Sequence, residues 1–150
     1  MKLSSEIKTY IDRSVLCWLA TASEDNIPNV SPKEIFNYYG NDEIIIANIA
    51  SPNTVRNIKK NTNVCISFID ILIQKGYQIH GKAMIIEKED SLFLERAEVL
   101  SKMTKGLFPF ETITTIKIIT SKPIIAPKYI LYPETTETEQ INSAKKTYGF

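Results

Sequence analysis

The stretch PNVSPKEIF, residues 28–36, reads as a β-strand interrupted by two prolines, Pro28 and Pro32. Proline has no backbone N–H for a sheet ladder and is confined to edges, strand starts and bulges. Residues of equal parity in a strand direct both backbone groups toward the same lateral neighbour, so the two prolines strip donors from one side and leave Val30 between them. That side cannot be a full ladder. Either it is a solvent edge, or something other than a strand lies against it.

Outward from this stretch the pattern is mostly β. Before it, VLCWLAT and the polar SEDN make a hairpin with IPNVSPKEIF. Ile7, Tyr10 and Ile11 behind Ser4 and Ser5 predict a first helix at about 5–14. After it come the β-branched run EIIIAN and then SPNTVRNIKKN, a helix with Ser51 as cap and Pro52 at its first position. NVCISFI and YQIHGKAMIIE predict two more strands, and DSLFLERAEVLSKM a helix through Phe93, Ala97, Leu100 and Met103. TITTIKIITSKPIIAPKYIL is a long β-rich stretch expected to break near Pro123. Six strands with hairpin-length loops and inserted helices point to a small antiparallel barrel with peripheral helices. From residue 133 the chain turns polar, as a short amphipathic helix or a mobile end.

Bulk properties narrow the class. A chain of 150 residues fits one domain and can bury a core without staples. With 43% hydrophobic and 23% charged residues it reads as an ordinary soluble protein. The longest apolar runs, such as IIIANIA, fall short of a membrane span, and MKLSSEIK lacks the apolar block of a secretion signal, so a cytoplasmic location is expected. A net charge of +1 implies no long-range field for nucleic acid or anionic lipid. Cys17 and Cys65 sit in apolar runs and are expected to pack in the core. Two cysteines and one histidine fall short of the ligands a structural zinc site needs.

The segment from Glu43 to Asn61 is the most informative on physical grounds. A helix N-terminus presents unpaired N–H groups and partial positive charge, usually answered by Asp or Glu in the first turn. Here no acidic residue occurs from Ile44 to Asn61, while Ser51, Asn53 and Thr54 offer neutral donors and Arg56, Lys59 and Lys60 follow. This leaves room for an external anion, phosphate being the usual guest. The alternative is an ordinary Ser-capped helix with its polar face in water. Lys33, one residue past Pro32, projects to the face opposite the prolines and can supply a positive charge, while Val30 and Ser31 offer backbone groups to the rim of a flat ring. A phosphate at one end and a planar polar ring at the other describes flavin mononucleotide, FMN.

LATASEDNIPNVSPKEIF, then IIIANIASPNTVRNIKKNTNVCISFID, then GYQIHGKAMII, and the closing KTYGF, resemble the pyridoxamine 5'-phosphate oxidase-like family of FMN-binding split barrels, in particular its short bacterial and archaeal members. The resemblance implies a six-stranded antiparallel split barrel and a homodimer with two interface sites for FMN. It implies that Val30, Ser31, Pro32 and Lys33 line the flavin, that Ala47 and Asn48 run beside it, and that Ser51, Asn53, Thr54 and Asn57 hold the phosphate. Two departures stand out. Asn53 replaces a lysine common in relatives, leaving Lys33 or Arg56 to compensate. The arginine- and histidine-bearing C-terminal segment that grips the substrate in true pyridoxamine phosphate oxidases is missing, so vitamin B6 oxidation is not expected.

No Ser/His/Asp set or carboxylate pair stands out, so any chemistry falls to the cofactor. His80, the only histidine, is read as a structural strand residue before a catalytic one, and Gly81 as either a bulge or a point of close backbone approach. Trp18, Phe36, Tyr38 and Tyr39 read as core before ring-stacking, and Tyr148 and Phe150 as a frayed end or a reach into a partner's site. The leading expectation is an FMN-dependent oxidoreductase with a small-molecule electron donor and acceptor of unspecified identity. A non-catalytic flavin-binding or sensing module is the alternative, and deazaflavin or haem, which relatives of this fold carry, the alternative cofactors. A nucleic-acid binder lacks the basic track it would need.

Overall fold

A computed structural model describes residues Met1–Phe150. The chain runs through α1 (Ser5–Arg13), β1 (Cys17–Ala22), β2 (Pro28–Lys33), β3 (Phe36–Tyr39), β4 (Glu43–Ala47), α2 (Pro52–Lys60), β5 (Asn63–Asp70), β6 (Lys75–Glu87), α3 (Phe93–Thr104), β7 (Thr112–Ile125), α4 (Pro127–Leu131) and α5 (Glu137–Tyr148). The strands form one antiparallel sheet in the order β2-β1-β5-β6-β7-β4-β3. No helix is long and apolar enough to cross a membrane.

The two ends of that order decide the shape. β2 and β3 are the opposite edges of the sheet, yet only Glu34 and Ile35 separate them. Three peptide units reach about 11 Å at most, so the sheet must roll until its edges meet. The result is a barrel split between β2 and β3. The expected antiparallel barrel with peripheral helices is therefore present, with seven strands where six were read. The extra one is β3: PNVSPKEIF and the following residues do not form one strand but break at residues 34–35 and cross the split.

Alternation builds the inside. Cys17, Leu19 and Thr21 of β1 are buried while Trp18 is exposed, and Val64, Ile66 and Phe68 of β5 follow the same period. In β4 the rule lapses: Ile44, Ile45, Ile46 and Ala47 are all buried. Ile44 and Ile46 join the barrel core, and Ile45 and Ala47 join a second cluster with Phe93 and Leu100 of α3. A strand covered on both faces needs no polar side. Ile7, Tyr10 and Ile11 of α1 belong to the barrel core, as their spacing predicts, and Ser4 caps that helix.

Two expectations are corrected and two open ones are decided. β7 continues through Pro123, which pairs with Tyr77 of β6. β4 covers β7 only at residues 113–117, so beyond them one side of β7 has no strand to serve and the missing N–H costs no ladder bond. Cys17 is fully buried, but Cys65 is only half-buried and lies on the outer face of β5. The polar C-terminal stretch is a helix, α5, started by a complete capping box at Thr136 and Glu139. At Gly81 both expectations hold together: the register shifts between His80 and Gly81, and a Cβ there would lie 2.6 Å from Lys117 O.

Candidate functional site

The prolines of β2 face the split. At the hairpin end Ser23 N–H donates to Ile27 O at 2.9 Å, and in the β1–β2 register this assigns the ladder bonds to Asn29, Ser31 and Lys33. Pro28, Val30 and Pro32 therefore present their backbones to the open edge. Val30 is free as expected, whereas the backbone of Ser31 is committed to β1. The side chains alternate accordingly: Val30 is 59% exposed, Lys33 only 7%.

What lies against this edge is the start of α2. A cavity of about 300 Å³ is bounded by Asn29, Ser31, Pro32 and Lys33 of β2 and by residues 49–54. A second, of about 190 Å³, continues past Pro32 and Lys33 to Glu34, Ile35, Ala47, Ile49 and Phe108. Together they form a groove with a polar end at α2 and a more apolar end toward Phe108.

Ser51 occupies the N-cap position but does not cap. Its hydroxyl donates to Ile49 O at 3.0 Å and accepts from Lys33 Nζ at 2.5 Å. The first-turn amides of α2 thus receive no side-chain cap and no acidic residue, which leaves donors and the positive helix end directed at the cavity. An ordinary Ser-capped helix is not what forms. Just before it Ala50 holds a left-handed φ of 50°, a conformation that costs an L-residue about 1–2 kcal/mol. Thr54, buried, stands 3.3 Å from Ser31 across the cavity wall.

Lys33 is the unusual member. No carboxylate forms an ion pair with it, and burial holds its pKa below the ordinary lysine value. The one group bound to its ammonium is a hydroxyl. A buried cation with this little support is costly unless an anion completes it, and a phosphate between Lys33 and the α2 amides fits that requirement.

Ser31, Pro32, Lys33, Ala47, Ser51, Asn53 and Thr54 are therefore brought together along the groove. Val30, Asn48 and Asn57 are not among its lining residues. Asn48 bonds Thr112 and Thr114 of β7, and Asn57 donates to Thr21 of β1. Arg56 donates to Asn53 Oδ1 at 3.1 Å and stays exposed at the mouth. Sequence reasoning missed Asn29, Glu34, Ile35, Ile49, Ala50 and Phe108. Asn29 was within reach, since it shares parity with Ser31 and Lys33. Phe108 carries no local signal. His80 and the C-terminal aromatics lie away from the groove, with Tyr148 bonded to Gln74.

Comparison with known proteins bears on this arrangement. The family model described as pyridoxamine 5'-phosphate oxidase matches residues 3–104. Among solved structures the chain is similar to HupZ of Group A Streptococcus, at 23% identity, 79% of this chain, 91% of that one and a TM-score of 0.68. It is similar to an FMN-binding protein from Syntrophomonas wolfei, at 17%, with coverage of 80% and 84% and a TM-score of 0.67. It is also similar to HutZ, the heme storage protein from Vibrio cholerae, at 18%, with 83% and 95% covered and a TM-score of 0.65. No curated protein matches the sequence. Likeness at these identities establishes the fold, and the family model, matching over more than half the length, establishes the rest: the chain belongs to the pyridoxamine 5'-phosphate oxidase family.

Proposed function

We propose that the chain is an FMN-binding oxidoreductase acting as a homodimer, with the flavin phosphate between Lys33 and the first turn of α2. The observation that carries this reading is the buried Lys33 ammonium, which bonds a hydroxyl and no carboxylate. Ser31, Ser51 and Thr54 supply hydroxyls beside the phosphate, and the outward backbone of Pro32 borders the ring. Pro32, Ala47 and Ile49 exclude water along the groove. Bound there, FMN supplies reversible one- and two-electron transfer, which no side-chain set of the chain offers. Family membership does not carry the family's named activity. Haem is less well served: the groove offers an ammonium, hydroxyls and amides, while the only histidine lies elsewhere.

The test is titration of purified protein with FMN, read by flavin fluorescence and by the thermal shift. Binding at 100 times Kd adds about 2.7 kcal/mol of stability; no shift with excess FMN sinks the proposal. Mass spectrometry of the small molecule released from protein of the native host separates FMN from deazaflavin and haem. A non-catalytic flavin-binding or sensing role is favoured by one observation: beyond Lys33 and Glu34 the groove is lined by no titratable side chain. Steady turnover with a reduced nicotinamide and an acceptor removes it.

Asn53→Lys is expected to tighten FMN about two- to fivefold at low salt, the scale of one exposed ion pair, with the gain lost as salt is raised. A salt-independent change would count against a phosphate at this position.

The homodimer is supported by an uncharged surface. Val15, Trp18 and Ile71 are 71%, 47% and 44% exposed around a groove of about 380 Å³ whose lining contains no charged residue. Such a patch, next to the open edge of β2, suits a second copy. Trp18→Glu is expected to convert the protein to a folded monomer in sedimentation velocity and to weaken FMN at least tenfold. A dimer that persists in this variant places the contact elsewhere.

A further inference from the structure

Cys65 and His80 take no part in the groove at α2. They are register partners on β5 and β6, both on the outer face of the sheet, the cysteine half-buried and the histidine exposed. Cys65 Sγ lies 4.0 Å from His80 Nε2, and neither side chain makes another hydrogen bond. The small side chains of Ala20 and Ala22 on β1 leave a hollow of about 220 Å³ over the pair, bounded also by Asn63 and Val64.

That spacing is informative. Bonds of about 2.3 Å to sulfur and about 2.0 Å to nitrogen would place an ion between the two atoms at an angle of about 135°. Those are zinc's bond lengths, and the angle is wider than its tetrahedral site; the shorter bonds of an ion with two ligands open it further toward linear. No third His, Cys, Asp or Glu joins the pair. Lys82, the next outward residue of β6, donates to Asn63 Oδ1 at 2.5 Å, which sets a positive charge beside the pair. One thiolate neutralises a monovalent ion fully but leaves a divalent one with excess charge next to a lysine. Thiolate and imidazole together select soft ions.

We propose that Cys65 and His80 form a copper(I) site. As the sulfur–copper bond forms, the thiol proton passes to solvent. His80 gives the Nε2 lone pair and keeps its proton on Nδ1, and the metal remains copper(I) with no electron transferred.

The test is anaerobic titration of the whole protein with copper(I) held by the coloured chelator bicinchoninate. The protein is expected to withdraw up to one ion per chain. Cys65→Ser and His80→Gln are each expected to weaken that transfer at least tenfold, and both should bind FMN as the parent does. His80 is exposed, so its variant tests the site without disturbing the core. Copper left on the chelator, or taken equally well by either variant, overturns the proposal, and neither result bears on the flavin reading.

Discussion

Lys33→Met is expected to weaken FMN binding about 10- to 100-fold while making the ligand-free protein more stable. The loss is that of a charge-assisted hydrogen bond to phosphate, about 1.5–3 kcal/mol. The gain follows because Lys33 is 7% exposed with only the Ser51 hydroxyl to offset its burial, and a methionine of similar length removes that penalty, about 1–2 kcal/mol. Chemical denaturation and flavin titration of the same two proteins measure both signs. A variant that binds FMN as well as the parent, or loses stability, contradicts the placement of the phosphate. The pH dependence has a definite sign. Burial lowers the Lys33 pKa, so between that lowered value and the ordinary lysine value the folded chain holds fewer protons than the unfolded one. Stability of the ligand-free protein therefore rises with pH across that window. Lys33→Met should remove that contribution to the slope.

The largest effect on folding should come from a pair outside the groove. Arg96 of α3 donates through Nε and Nη2 to Glu43 Oε2 at 3.2 and 2.8 Å, while Thr115 of β7 donates to the same oxygen at 2.9 Å. The guanidinium also lies 4.3 Å from the centre of the Tyr39 ring. One carboxylate thus ties α3, β4 and β7 together. Arg96→Ala leaves Glu43 half-buried without its cation and should cost about 3–5 kcal/mol, lowering Tm by roughly 10 °C in a chain of this size. Replacing Arg96 and Glu43 together with methionine should recover most of that loss, since well-packed apolar groups substitute for a buried pair. Urea unfolding of the single and double variants decides it; a single-variant loss below about 1 kcal/mol would mean that the pair behaves as a surface contact.

Much of the barrel was legible because its cues are local. The prolines at 28 and 32 mark an edge strand, the apolar alternation of β1 and β5 gives their inner faces, and the acid-free run from Ile44 to Asn61 marks α2 as a helix whose first turn no acidic residue answers. What escaped depends on partners distant in sequence. Nothing in Glu34–Ile35 announces that the chain crosses from one edge of the sheet to the other, because the crossing is short only once the sheet has rolled. Pro123 is harmless because β4 ends where it does, a fact about another strand. The resemblance set Asn48 beside the flavin and Asn57 at its phosphate, yet threonines on β7 and β1 engage them, and such bonds are formed only in the folded chain. Phe108 reaches the groove because Phe93, Arg96 and Leu100 dock α3 against β4 and β7 and carry the following loop with them.

The link of two residues between β2 and β3 has a further implication for how relatives diversify. It tethers the floor of the groove at a fixed width, since a longer or shorter crossing would unseat Lys33 on one margin and Phe36 on the other. The wall that carries Phe108 hangs from a helix end, with Lys105 and Gly106 both in left-handed backbone, and is bound by no such constraint. Changes in the size and polarity of the molecule the groove admits are therefore expected to accumulate in the 105–111 loop, leaving the tethered floor as it is.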